Sequence, residues 1–222
     1  MEPNLARSFY LLSLNPKNGY YFNTGPEFQY GLTGSIVADL YFQQRVRIEK
    51  RTLYAVDPAP TNYSFFDRPL QTIEQKGGIR IASLLGRMGF RPGWYKKELI
   101  RVLLANGDLV QVPKKFLGIP YNRYFPGKSD ERLAMIRRLR DILLRGEHPE
   151  GPELMLLSLV PVCRLYRAIT ERGAERKRAR QNLKNLLKNG TQYSRQFGDI
   201  EALTKGIKGA IMAAHASHSA GH

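Results

Sequence analysis

The stretch YGLTGSIVADLYFQQRVRIEKRTLYAVDPAPTNYSFFDRPL, residues 30–70, decides the fold. Its first part continues a helical pattern over residues 28–44, with Leu32, Ile36 and Leu40 stacked at four-residue spacing. Gly31 and Gly34 interrupt that pattern, and each costs about 1 kcal/mol of helix propensity against alanine. A close approach by another backbone would compensate, so this helix is expected deep in the molecule. Residues 46–49 and 52–56 then alternate as a short hairpin with Lys50 and Arg51 at its tip, followed by a proline-containing loop.

Working outward, helices are expected over residues 4–14, 65–75, 79–88, 94–106, 153–170, 172–189 and 200–214, with a further one carrying Leu133, Ile136, Leu139 and Leu143. Residues 153–170 are apolar nearly all round, the pattern of a helix at the centre of a bundle, with Pro161 expected to bend it. A second hairpin follows the helix ending near Gly107, with Pro113, Lys114 and Lys115 expected at its tip. No alternation of strand and helix occurs. The expected fold is mainly α: one globular domain over residues 4–214 around a central apolar helix, with two short hairpins and a disordered tail over 215–222.

Lysine and arginine number 35 against 19 acids, a formal charge of +16 in 222 residues, and the pI is about 10.1. A surplus of this size repels itself unless a polyanion is usually nearby, which nominates nucleic acid, an anionic membrane surface or an acidic protein. Residues 164–195 carry ten basic side chains and two acids, Glu171 and Glu175. They form either a solvated helix face or a binding surface. A second cluster over residues 76–101 holds Arg91, Lys96 and Lys97 around Trp94. An aromatic ring among cations is the composition of an interfacial phosphate site, each cation contributing about 1 kcal/mol near an anionic surface. The alternative is that Trp94 anchors its helix in the core.

No phosphate loop, nucleophile elbow or zinc helix is present, and the four histidines are three in the tail and His148 in a loop. No catalytic residue, metal site or cofactor is expected. Cys163 sits in an apolar run and reads as a small buried hydrophobe. The N-terminal stretch has no signal-peptide pattern, and no apolar run reaches the roughly 20 residues of a membrane span.

These residues, taken in order, resemble the Golgi phosphoprotein 3 family. The likeness rests on Gly31-Leu32 with Gly34, on Pro60, Thr61, Asp67 and Leu70 within DPAPTNYSFFDRPL, and on GDLVQVPKKFLGIPYNRYFP over residues 107–126. DERLAMIRRLRDILL and LMLLSLVPVCRLYRAI fall where that family has its later core helices. The resemblance implies a non-enzymatic, cytoplasmic, peripheral membrane protein of bacterial type that binds a phosphatidylinositol 4-phosphate-like headgroup. The family's headgroup positions fall on Thr24, Thr33, Gly93 and Lys96, of which only Lys96 keeps its character. Arg91, Lys97 and Trp94 are expected to rebuild the pocket with Lys96, and Phe22 or Phe28 to supply the ring that enters the membrane. A homo-oligomer or an acidic protein partner, contacted at the hairpin tips, remains open. The competing reading is a basic, winged-helix-like nucleic-acid-binding protein, because each hairpin follows a helix; no helix with base-reading side chains stands out for it.

Overall fold

The computed structural model describes residues 4–127, 130–194 and 196–219. The chain begins with α1 (Asn4–Ser13) and α2 (Gly25–Phe42), then β1 (Val46–Glu49), β2 (Thr52–Ala55), α3 (Ser64–Gln75) and β3 (Ile79–Arg80). Next come α4 (Ile81–Gly89), α5 (Pro92–Ala105) and the long strands β4 (Leu109–Phe116) and β5 (Ile119–Pro126). It closes with α6 (Glu131–Arg145), α7 (Gly151–Val162), α8 (Tyr166–Ile169), α9 (Ala174–Lys188) and α10 (Phe197–Ser219). The protein is a mainly helical single domain with two small antiparallel sheets.

Every residue from Gly31 to Leu40 of α2 is buried, and this helix packs against α1, α3, α4, α5, α7 and α10. The two glycines make that possible. A Cβ on Gly31 would lie 2.2 Å from Phe9 Cζ and 2.7 Å from Cys163 Sγ, and one on Gly34 would lie 2.2 Å from Ile207 Cδ1. Side chains of α1, of the residue after α7 and of α10 therefore occupy the space a methyl group would take. The buried Asp39 of α2 accepts the backbone N–H groups of Leu5 (2.8 Å) and Ala6 (2.9 Å), satisfying donors that the first turn of α1 leaves open. The motif carrying Thr61 and Asp67 has a local purpose too: Asp67 accepts the Thr61 N–H at 2.6 Å, closing the loop onto α3.

Four expectations need correction. Residues 153–170 are not one bent helix: α7 ends at Val162, Arg164 turns the chain at φ +59°, and α8 starts anew at Tyr166. The first hairpin gains a third strand, because the positive-φ pair Gly77 and Gly78 lays Ile79 beside Leu53. In the second hairpin the tip is Leu117-Gly118, while Pro113 and both lysines sit within β4, paired with Asn122, Tyr121 and Pro120. A two-stranded sheet consists of edges, so it tolerates a proline that a central strand would not. Finally, α10 continues to Ser219, through residues expected to be disordered, favoured by Ala213, Ala214 and Ala216 and by a 3.3 Å contact between His215 and Glu27. Residues 220–222 of that tail lie outside the described residues.

Candidate anionic-surface interface

The loop between α1 and α2 organises one side of the molecule. Its ends are tied by Asn15 N–H to Tyr20 O (2.7 Å) and Phe22 N–H to Ser13 O (2.8 Å). The side chains of Asn15 and Asn18 accept the N–H groups of Lys17 and Tyr20 at 3.0 Å, which is how asparagine stabilises tight turns. Held this way, the loop sets three consecutive aromatic rings into three cationic neighbourhoods.

Tyr20 meets the hairpin. The guanidinium of Arg123 lies 4.0 Å from its ring centroid and donates to Asn18 O at 3.1 Å, clamping β5 to the loop. Tyr21 meets Lys96, whose Nζ lies 4.5 Å over its ring and 5.5 Å over that of Phe28. Burial lowers the pKa of Lys96 below the usual lysine range, and the side chain has no carboxylate partner among the described residues. A half-buried ammonium resting on two aromatic faces keeps its charge at a cost that an incoming anion would relieve. Burial also pushes the Tyr21 hydroxyl up to about 12, so it stays a neutral hydrogen-bond partner of Tyr10 at 2.6 Å. Phe22 points elsewhere, into a cavity it shares with Arg164, Tyr166, Arg167, Arg176 and Arg180.

The residues expected to form one pocket are divided among these surroundings. Lys96 alone joins the Tyr21 neighbourhood. Arg91 lines a separate cavity of about 280 Å³ with Arg68, Arg87 and Tyr95. Trp94 is half-buried, edge-on to Tyr95 at 4.9 Å, with the Arg68 guanidinium 4.6 Å over its ring, so it packs its helix and a neighbouring arginine. Lys97 is exposed. Phe28 turns into the core: it is 9% exposed and packs 4.5 Å from Tyr21 and 6.0 Å from Tyr10 by ring centroid.

The family positions behave differently again. Thr33 is buried, its hydroxyl donating to Gln29 O at 3.1 Å, while Thr24 is exposed at the start of α2. Gly93 is exposed in the first turn of α5, and a Cβ there would meet no atom within 4 Å. Open space thus adjoins that turn, where Pro92 has no N–H and Trp94 donates its N–H to Arg91 O at 3.1 Å, leaving the N–H of Gly93. Lys96 stands one turn further along the same helix.

Two exposed apolar features escaped the reading of the sequence. Phe90, 88% exposed, precedes Arg91 in the connection between α4 and α5. At the hairpin tip Phe116, Leu117 and Ile119 are 68, 86 and 67% exposed, with Lys114 and Lys115 beside them in β4. The only sequence signal for the tip was the apolar run Phe116-Leu117-Gly118-Ile119 between polar strands. Among the described residues, no helix is long and apolar enough to cross a membrane, and no group of three or more histidine, cysteine or acidic side chains could hold a metal.

The sequence model of the Golgi phosphoprotein 3 family matches residues 5–212, nearly the whole chain. The chain belongs to the Golgi phosphoprotein 3 family. No curated protein matches it. Membership in the Golgi phosphoprotein 3 family gives the divided site its meaning. Of the positions that the resemblance assigns to the headgroup, this member retains one cation, Lys96, and leaves an open helix turn at another, Gly93.

Proposed function

We propose that this chain is a non-enzymatic peripheral membrane protein that docks on anionic bilayers, as expected of a family whose members bind phosphatidylinositol 4-phosphate. In this reading the phosphate of a phosphoinositide-like headgroup rests on the first turn of α5 at Gly93 and on Lys96. The helix N-terminus contributes the N–H of Gly93 and a favourable dipole, and Lys96 supplies a charge-assisted hydrogen bond worth about 1.5–3 kcal/mol. Phe90, next to this turn, replaces Phe28 as the ring that enters the headgroup layer. Lys97 and Arg91 add attraction from the rim.

The observation that carries the proposal is the hairpin tip. Three large apolar side chains stand in solvent there, and Leu117 adopts a left-handed conformation (φ +47°) to do so. Such a backbone costs a Cβ-bearing residue roughly 1–2 kcal/mol, and an exposed leucine returns none of it in water. A bilayer returns it. Flotation with phosphatidylcholine vesicles, with and without phosphatidylinositol 4-phosphate at moderate salt, tests the reading. Recovery should require the anionic lipid and fall as salt rises; equal recovery with neutral vesicles would overturn it.

A further inference from the structure

The basic segment that reads in the sequence as either a solvated face or a binding surface folds into a concave site. Four arginines from one turn and the two helices after it line a cavity of about 450 Å³: Arg164 after α7, Arg167 in α8, and Arg176 and Arg180 in α9. Phe22, Pro161 and Tyr166 form its remaining walls. The volume lies in the range of small-molecule sites, about 300–1,000 Å³.

The arginines are held in ways that leave donors available. Arg176 is fixed by its bonds to Thr170, at 3.3 Å to the hydroxyl and 3.2 Å to the carbonyl. Arg180, one turn along α9, lies 5.0 Å over the Tyr166 ring, a contact that uses the face of the guanidinium and spares its N–H edge. Arg167 makes no hydrogen bond or ion pair among the described residues. Arg164 reaches Glu27 at 3.1 Å. Glu27, itself shared with His215, is the one carboxylate among the described residues paired with any of the four. Mutual repulsion of these cations opposes folding unless an anion enters. Arg164 also holds a left-handed backbone at φ +59°, a conformation glycine or asparagine would adopt more cheaply. Strain kept at a charged, concave position points to function.

We propose that this cavity is a phosphate-binding site distinct from the Lys96 turn, and that it takes a phosphomonoester of a sugar or polyol. A phosphomonoester carries a charge of about −1.5 to −2 near neutral pH and three acceptor oxygens. Arginine forks match those oxygens in pairs, and the rings of Phe22 and Pro161 suit the C–H face of the sugar or polyol. The same chemistry is presented by a soluble sugar phosphate and by a phosphorylated lipid headgroup.

The experiment has two arms, each run on the full chain and on Arg167→Ala, Arg180→Ala, Lys96→Met and Lys188→Ala. Lys188 is exposed, about two turns beyond Arg180 at the end of α9 and outside the lining of the cavity, and its removal subtracts the same charge. One arm is calorimetric titration with inositol 1-phosphate, inositol serving as the uncharged control. The other is flotation with phosphatidylcholine vesicles carrying phosphatidylinositol 4-phosphate. Arg167→Ala and Arg180→Ala should each weaken binding roughly tenfold, while Lys188→Ala leaves it unchanged. Such a loss in the titration, with Lys96→Met unaffected, assigns a soluble phosphomonoester. A loss confined to the vesicles assigns a lipid headgroup. Unchanged binding of Arg167→Ala and Arg180→Ala in both arms, or an equal loss in Lys188→Ala, overturns the site. Arg167 is exposed and makes no hydrogen bond or ion pair among the described residues, so Arg167→Ala should melt with the wild type and report binding alone.

Discussion

Leu117→Asn separates what the hairpin tip does for folding from what it does for membranes. Leu117 and Gly118 have φ of +47° and +81°, the two positive values of a type I′ turn, for which Asn-Gly is the most favoured pair. The change removes a left-handed leucine costing about 1–2 kcal/mol and installs the residue that best tolerates that conformation. The hairpin should therefore gain roughly 1 kcal/mol, which would slow amide exchange of the paired β4 and β5 residues by about fivefold. Membrane affinity should move the other way. Leu117 is 86% exposed, and full burial of a leucine is worth about 1.5–3 kcal/mol, so its loss should cost roughly tenfold or more in partitioning. Asparagine is neutral, so electrostatic attraction to the vesicle is unaltered. The assay pairs hydrogen exchange with flotation on anionic vesicles. A variant with slower exchange and undiminished flotation would refute insertion of the tip, since better folding cannot be blamed for a missing loss.

Other outcomes follow from the interior. Lys96→Met should raise the melting temperature at neutral pH, because it removes a half-buried charge that has no carboxylate partner among the described residues; its effect on flotation should be a loss. Since burial lowers the Lys96 pKa, the unfolded chain binds more protons between the folded and unfolded values, and wild-type stability rises with pH there. The advantage of Lys96→Met should accordingly shrink as pH climbs into the lysine range. Asp39 has the opposite sign: burial pushes its carboxyl up to about 7, so the folded state holds the extra proton below that value and stability declines as pH rises toward it. Asp39→Asn should flatten this part of the profile. It should also cost about 1–3 kcal/mol, because an amide oxygen can replace only one of the two acceptors used by Leu5 and Ala6. Gly31→Ala sets an overpacking cost of about 1–3 kcal/mol against a helix gain of about 1, for a net loss of up to about 2. Gly86→Ala, in α4 with no atom within 4 Å of its Cβ, should gain up to about 1 kcal/mol. Thermal unfolding reads both, at about 2–4 °C per kcal/mol for a chain of this length.

The depth of α2 was legible because two glycines in an apolar helical pattern admit few explanations, and the structure supplies Phe9, Cys163 and Ile207 as the groups that use their space. The same pattern already spoke against Phe28 as a membrane contact: it stands four residues before Leu32, on the stripe that Ile36 and Leu40 continue into the core. The division of Lys96 from Arg91 and Trp94 was not legible, since which side of α5 meets the loop of Tyr21 depends on packing between distant segments. The hairpin tip was misplaced for a sharper reason. Pro113 and the lysines after it are what a turn is expected to contain, whereas Leu117 is a residue that turns of this type reject. Arg164 breaks the same rule at the end of α7, where glycine or asparagine would serve the backbone better. Local propensity misjudges both positions, and each lies in a feature that folding does not explain: one presents apolar side chains to solvent, the other gathers positive charge around a cavity. Sequences agree with themselves across levels except where function intervenes. The conflict between side chain and backbone at Leu117 and Arg164 is thus a physical reason to expect two contacts with anionic surfaces or solutes, one apolar and one cationic, on either side of the loop that carries Tyr20, Tyr21 and Phe22.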